Sequence, residues 1–142
     1  MENKPLRIIS DTNILISAIL FGGKPREILH LIHQRKIVGV SSPILLAELA
    51  DVLSKKFKFE QKKIKFYLHK LNLILQIVHP QKEIHVLKDE PDNRVLEAAI
   101  AGNCNYIITG DKELLKLKKY KQVKILKSEK FLRIHFKTFS AL

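Results

Sequence analysis

In the segment LRIISDTNIL, residues 6–15, the spacing of the apolar residues changes from that of a strand to that of a helix. The apolar run that ends at Ile9 is typical of a buried parallel strand, and Ser10 bounds it. After Asp11 the apolar residues recur at helical spacing, which predicts a helix. Asp11 therefore lies where a strand passes into a helix, at the edge of an open α/β sheet where ligands bind and helix N-termini point. Such a carboxylate can cap the helix, or it can face a cleft and hold a cation.

The same arrangement recurs near the end of the chain. Residues 105–108 are predicted to form a buried strand, Thr109 and Gly110 form a small polar turn, and Asp111 begins a helix. Because the carboxyl ends of parallel strands meet at one edge of a sheet, Asp11 and Asp111 are expected at the same edge. This recurrence favours a shared cation site over two unrelated helix caps.

Strands and helices alternate along most of the chain, which predicts an α/β fold with mostly parallel strands. A chain of 142 residues is expected to form a single domain, residues 1–142, with one core. The helix at residues 64–75 is expected to place Tyr67 in that core. The expected strands are residues 6–9, 37–40, 83–87, 105–108 and 123–126.

The chain is strongly basic, with 26 Lys and Arg against 14 Asp and Glu and a net charge of +12. Such a surface attracts polyanions, most commonly nucleic acid, although a merely solvated lysine-rich surface has the same composition. In residues 55–70 the aromatic side chains are attributed mostly to packing and the lysines to phosphate contacts. The candidate nucleic-acid contacts are Lys55, Lys56, Lys58 and Lys112.

The expected compartment is the cytoplasm. The chain has one cysteine, Cys104, which indicates a reducing environment rather than a disulfide framework. Its beginning does not follow the plan of a signal peptide, and its longest nearly apolar run, residues 14–21, is too short to cross a bilayer.

Two further acids interrupt or begin apolar helices. Glu48 borders the apolar face of a helix that begins at Pro43, and a carboxylate there needs a partner. A lysine salt bridge and a cation are both open as that partner. Asp51, nearer the polar face, is expected to be solvated. Asp92 lies in the first turn of the helix that follows DEPDN, near the edge of its buried face.

Acids that converge without a counterion raise each other's pKa and destabilise the fold, and a divalent cation removes that cost. Oxygen ligands indicate Mg²⁺ or Mn²⁺, because the six histidines show no zinc-ligand spacing. Such ions activate a nucleophile and stabilise the leaving oxygen of a phosphodiester. A basic surface that holds the phosphate backbone is consistent with that chemistry.

Four motifs together resemble the PIN-domain family: SDTNIL, the glutamate in LLAELADVL, DEPDN before VLEAA, and YIITGDKELL. The resemblance spans about residues 6–131 and is closest to toxin components of prokaryotic toxin–antitoxin pairs. It implies a three-layer α/β/α fold around a mostly parallel sheet and a metal-dependent ribonuclease activity. It also implies a cognate antitoxin that occupies the cleft, and a homodimer.

The four acids of the family fall on Asp11, Glu48, Asp92 and Asp111. By the same resemblance, Asn13 supports the first acid and Thr109 is the hydroxyl residue just before the last. Asp89 matches an additional acid of this subgroup, as a metal ligand or a group that supports one. The main departure is Asn93, where some relatives carry another Asp; if that residue helps to bind a second metal, its absence weakens two-metal occupancy.

The favoured hypothesis is an Mg²⁺- or Mn²⁺-dependent endoribonuclease, the toxin of a type II toxin–antitoxin pair. In it Asp11, Asp92 and Asp111 hold metal, and Glu48 holds metal or orients the water. The alternative is a non-catalytic module on the same scaffold that binds RNA or an antitoxin. A phosphotransfer or Toprim-like enzyme is more remote, because the sequence lacks the second Asp and the DxD motif that these need.

Overall fold

The computed structural model describes residues 4–136, which form six strands and seven helices. The strands are β1 (Arg7–Ser10), β2 (Val38–Ser41), β3 (Leu75–Ile77), β4 (Tyr106–Ile108), β5 (Lys119–Tyr120) and β6 (Val123–Leu126). The helices are α1 (Thr12–Leu20), α2 (Gly23–His33), α3 (Pro43–Lys55), α4 (Gln61–Ile74), α5 (Glu90–Ala101), α6 (Lys112–Leu117) and α7 (Ser128–Phe136). None of these helices is both long enough and apolar enough to cross a membrane.

All six strands belong to one sheet in the order β3-β2-β1-β4-β6-β5. Every neighbouring pair is parallel except β5 and β6, which are antiparallel. From β1 the chain builds the sheet first through β2 and β3 on one side and then through β4 and β6 on the other. The strand order therefore reverses between β1 and β4, and in open α/β sheets the crevice at such a reversal is where ligands bind.

The two faces of the sheet carry separate cores. Ile8 and Ile9 are both fully buried, and because neighbouring side chains of a strand point to opposite faces they enter different clusters. Ile8 belongs to a cluster with Ile28 and Phe131, whereas Ile9 belongs to one with Leu96. Helices thus cover both faces, and the predicted three-layer α/β/α fold with a mostly parallel sheet is confirmed. The single domain over residues 1–142 stays a prediction, since residues 1–3 and 137–142 lie outside the described part.

The α2 layer packs on the sheet at close range because Gly39 has no side chain. A Cβ atom built at this residue of β2 lies 2.6 Å from Ile32 Cδ1 and 2.7 Å from Leu75 Cδ2. Real Cβ atoms essentially never approach other atoms so closely. The glycine therefore sets the distance between the helix and the sheet.

The predicted strand at residues 83–87 is wrong. Residues 78–89 form neither helix nor strand. The backbone groups of Ile84 and Leu87 pair with side chains of α5 instead of with a neighbouring strand. The edge of the sheet is formed by β3, a strand that the continuous apolar stripe at the end of α4 concealed, and the short β5 was also not predicted.

The prediction that Tyr67 lies in the core is only partly met, because the residue is half-buried. The fully buried residues of α4 are Ile64 and Leu71. Tyr67 instead contacts the rings of Phe59 and Phe66, with centroids at 6.1 and 5.4 Å. Phe66 itself is 55% exposed, whereas Phe57 and Phe59 are half-buried and pack against the core cluster that contains Ile8.

Candidate metal centre

Asp11 is fixed at the end of β1 by hydrogen bonds to two other elements. Its Oδ1 accepts the N–H of Ile14 at 2.9 Å and so caps α1. Its Oδ2 accepts the hydroxyl of Thr109, which lies just after β4. The backbone N–H of Asp11 also donates to the carbonyl of Ile108 at 3.1 Å. Asp11 therefore joins the ends of the two strands between which the strand order reverses.

Asp111 is held beside it through the same threonine. The backbone N–H of Asp111 donates to Thr109 Oγ1 at 2.9 Å. Asp111 then caps α6, and its Oδ1 accepts the N–H groups of Glu113 and Leu114 at 2.9 and 3.0 Å. Thr109 thus contacts Asp11 with its proton and Asp111 with its oxygen lone pair, so one buried hydroxyl sets the relative positions of the two acids.

Three carboxylates converge where α5 begins. Asp89 precedes the first turn of α5, Asp92 lies within it, and Asp111 faces both. One carboxylate oxygen from each of these residues lies within 4.8 Å of the other two. Asp92 is only 7% exposed, and its buried Oδ2 has no hydrogen-bond partner among the described residues. We refer to Asp89, Asp92 and Asp111 as the acid cluster.

The electrostatics of the acid cluster are unfavourable for three ionised carboxylates. Burial, and then repulsion by Asp111, Asp89 and Asp11, raises the pKa of Asp92 to about 7. Burial also raises the pKa of Asp11, opposed by its hydrogen bonds to Thr109 and to the Ile14 N–H. Repulsion by neighbouring acids adds to that rise. The native fold therefore holds negative charge at a cost that a cation would remove.

Glu48 lies next to this group on α3 and is half-buried. Its Oε1 accepts the hydroxyl of Thr12, the first residue of α1. Glu48 is near enough to Asp11 to raise the pKa of that residue, although it is not part of the acid cluster. Sequence reasoning missed Thr12, because its partner is 36 residues away and no local pattern connects them.

The donor set suits a hard divalent cation. All ligand atoms of the acid cluster are carboxylate oxygens, which Mg²⁺ and Mn²⁺ prefer. Within residues 4–136, none of the five acids forms an ion pair with Lys or Arg; the five are Asp11, Glu48, Asp89, Asp92 and Asp111. The lysine salt bridge considered for Glu48 is thus not formed in this part of the chain. The unpartnered Oδ2 of Asp92 is a further acceptor that a cation would satisfy.

Two other residues named from the sequence are Asn13 and Asn93, and within residues 4–136 neither side chain forms a hydrogen bond with the five candidate acids. Asn13 is exposed in the first turn of α1, and the hydrogen bonds to Asp11 come from Thr109 and Ile14 instead. Asn93 is fully buried, and its side chain bonds to Leu87 and Glu90 rather than joining the acid cluster.

The four candidate lysines are all exposed, but they occupy two separate places. Lys112 is the first residue of α6 and directly follows Asp111. Lys55, Lys56 and Lys58 lie at the far end of α3 and in the turn after it. Lys55 forms an ion pair of 3.1 Å with Asp51, and both side chains are largely exposed. Lys112 is therefore the one of the four that adjoins the acid cluster in sequence.

The protein thus has an open, mostly parallel α/β sheet, with the buried acids Asp11 and Asp92 near the place where its strand order reverses. A sequence profile of the PIN domain matches residues 7–113, and the chain belongs to the PIN-domain family. The uncharacterized protein MJ1680 of Methanocaldococcus jannaschii is 35% identical over 129 residues, which cover 83% of this chain and 79% of that protein.

The fold is also similar to a solved structure. The crystal structure of VapBC2 from Rickettsia felis, bound to a DNA fragment from its promoter, matches with a TM-score of 0.61 at 18% identity. The match covers 84% of this chain and 97% of that chain. At this identity the likeness shows the shared fold.

Proposed function

We propose that this protein is a metal-dependent endoribonuclease that hydrolyses RNA phosphodiester bonds. The observation that carries the proposal is the acid cluster, whose three carboxylates offer oxygens within 4.8 Å of one another and include an unpartnered buried oxygen. Membership of the PIN-domain family supports it, because the resemblance on the four motifs implies ribonuclease activity.

The residues divide the work as follows. Asp89, Asp92 and Asp111 hold Mg²⁺ or Mn²⁺. Asp11 lies beside them as a further metal ligand, and Glu48 holds metal or orients the water. A bound divalent cation supplies Lewis acidity and a water of lowered pKa for attack on phosphorus. Thr109 keeps Asp11 oriented through its hydroxyl, and Thr12 does the same for Glu48.

The substrate follows from charge. A net charge of +12 attracts a polyanion, and phosphates of a nucleic-acid backbone are its ordinary partners. Lys112, which is exposed and follows Asp111 in sequence, is our candidate for a phosphate contact next to the carboxylates. Lys55, Lys56 and Lys58 extend the basic surface beyond the site, with the ammonium of Lys56 lying 5.6 Å from the centre of the Phe57 ring.

We also propose that the protein acts in the cytoplasm as the toxin of a type II toxin–antitoxin pair, as a homodimer. The support is the resemblance of its motifs to toxin components and the fold that it shares with VapBC2. A short acidic protein encoded by the neighbouring reading frame is the expected antitoxin. Its co-expression should relieve growth arrest caused by this chain, whereas arrest that persists would contradict the pairing.

The test of the nuclease uses purified protein and a labelled single-stranded RNA. The wild type should cut in Mg²⁺, stop in EDTA and resume when Mg²⁺ is restored. Asp11→Asn should abolish cutting and keep the circular dichroism spectrum, because the change preserves shape and removes charge. Asp51→Asn is the matched control, since Asp51 forms an exposed ion pair with Lys55. RNA that stays bound in excess EDTA and is never cut would instead identify a binding module.

A further inference from the structure

The segment before α5 is attached to that helix by side chains rather than by secondary structure. Residues 78–89 form neither helix nor strand. Within them, Leu87 has both of its backbone groups held by one residue of α5. Its N–H donates to Asn93 Oδ1 at 2.9 Å, and its carbonyl accepts from Asn93 Nδ2 at 2.8 Å. A side-chain amide has a donor and an acceptor side by side and so makes this pair of bonds, which an ionised carboxylate cannot make.

A second residue of the segment is held in the same way by two side chains. The N–H of Ile84 donates to Glu97 Oε2 at 2.9 Å, and its carbonyl accepts from the Arg94 guanidinium at 3.2 Å. Arg94 and Glu97 are themselves paired at 2.9 Å. We call Asn93, Arg94 and Glu97 the α5 clamp.

Two of the three side chains of the α5 clamp are buried, so water cannot replace the hydrogen bonds that they make. Asn93 is fully buried and Glu97 is 8% exposed. A buried polar group that loses its hydrogen-bond partner destabilises the fold, so the clamp and the segment hold one another in a single arrangement. The side chains of Ile84 and Leu87 also pack against the core cluster of α5, which adds an apolar attachment at the same two residues.

The backbone that Asn93 holds lies next to Asp89 in sequence. Asp89 follows Leu87 by two residues, and its carbonyl accepts the N–H groups of Asp92 and Asn93 at 3.1 and 3.3 Å. Its own side chain is exposed and makes no capping hydrogen bond. The position of Asp89 therefore depends on its backbone, which lies between the Leu87 groups bonded to Asn93 and the first turn of α5.

We propose that Asn93, assisted by the Arg94–Glu97 pair, is a positioning residue that places the Asp89 carboxylate in the acid cluster. The inference rests on the proposed metal-dependent function, because it assigns Asp89 as a ligand. It also gives Asn93 a role of its own: a carboxylate at this position has no proton for the Leu87 carbonyl and faces the acceptor Glu90.

The test measures the affinity of the purified protein for Mn²⁺ by electron paramagnetic resonance, without RNA. Asn93→Ala should weaken Mn²⁺ binding by about 10- to 100-fold, the usual effect of removing a group that orients a ligand. In an Asp89→Asn background the same substitution should change the affinity by less than about threefold, because the ligand through which Asn93 acts is already lost. Equal losses in both backgrounds would show a general structural effect and overturn the proposal.

Two further measurements keep the result interpretable. Hydrogen exchange at the Leu87 amide should accelerate in Asn93→Ala without any metal, and unchanged exchange would overturn the clamp itself. The matched control is Asn72→Ala, which removes an exposed asparagine that donates to Leu68 at 3.0 Å on α4 and should leave both readouts unchanged. If Asn93→Ala does not fold, Arg94→Lys is the second variant. It keeps the positive charge but loses the planar guanidinium that contacts Ile84 and Glu97, so it should accelerate hydrogen exchange at the Ile84 amide and weaken Mn²⁺ binding. Wild-type protein that binds no Mn²⁺ would overturn the proposed function and the positioning role together.

Discussion

Replacing Asp92 by asparagine should stabilise the metal-free protein increasingly as the pH rises from 4 to about 7.5, and should remove its stabilisation by Mn²⁺. The reason is that the native fold raises the pKa of this carboxyl from 3.8 to about 7, through burial and repulsion by Asp111, Asp89 and Asp11. The amide has the same shape, carries no charge and can donate to the neighbouring carboxylates. The substitution therefore removes the cost of ionising Asp92 within the fold.

The sign and the size of the effect follow from proton linkage. In the unfolded chain Asp92 ionises near 3.8, whereas in the native protein it holds its proton until about pH 7. The native state thus binds the extra proton between these values, and wild-type stability falls as pH rises through that window. At about 1.4 kcal/mol per pH unit the full shift corresponds to about 4 kcal/mol, and solvent screening reduces the expected gain to about 1–3 kcal/mol.

The assay is urea denaturation of wild type and Asp92→Asn in EDTA at several pH values from 4 to 8. The two proteins should be nearly equal in stability at pH 4 and should diverge up to about pH 7.5, with the variant more stable. At pH 7.5, Mn²⁺ at 100 times its Kd should stabilise the wild type by about 2.7 kcal/mol. The variant should gain far less. Asp51→Asn serves as the control and should match the wild type both in the pH dependence of its stability and in its stabilisation by Mn²⁺.

Two outcomes would refute this reasoning. A variant that is less stable than wild type at pH 7.5 in EDTA would mean that Asp92 is stabilised by a partner when ionised. A gap between the two proteins that does not change with pH would mean that the substitution acts through packing instead of charge.

Three other substitutions test separate parts of the structure. Thr12→Val should lower the rate of RNA cleavage by about tenfold, because Glu48 loses its hydroxyl donor, and Thr12→Ser should restore it; equal rates in all three proteins would contradict the role. Gly39→Ala should destabilise the fold by about 1–3 kcal/mol in urea denaturation, because its Cβ meets side chains at 2.6 and 2.7 Å. Lys112→Ala should weaken RNA binding and reduce its salt dependence by about one unit of slope, whereas an unchanged slope would place the phosphate contact elsewhere.

Local sequence patterns were sufficient to predict the two central strands of the sheet and the helices that follow them. The apolar run before Asp11 and the helical spacing after it depend only on neighbouring residues, and the structure has β1 and α1 at these places. The same holds for β4 and the cap of α6 at Asp111. The end of a strand and a capping acid can therefore be predicted from the sequence when the spacing of the apolar residues changes at a polar residue.

Non-local contacts decided the rest. At residues 83–87 the alternation of a strand is present, but α5 side chains take the backbone groups of Ile84 and Leu87. At one edge of the sheet, α4 ends at Ile74 and β3 begins at the next residue, Leu75. No Gly or Pro marks this boundary, so the apolar stripe predicts a single helix. The link between Thr12 and Glu48 spans 36 residues and depends on how α1 and α3 pack.

We propose that carboxylates distant in sequence share one divalent cation, and anomalous diffraction from crystals soaked in Mn²⁺ would locate that cation. We expect an anomalous peak bonded to oxygens of Asp89, Asp92 and Asp111, and no peak in crystals of Asp92→Asn. An empty acid cluster at millimolar Mn²⁺, or a peak bound only at other residues, would contradict it.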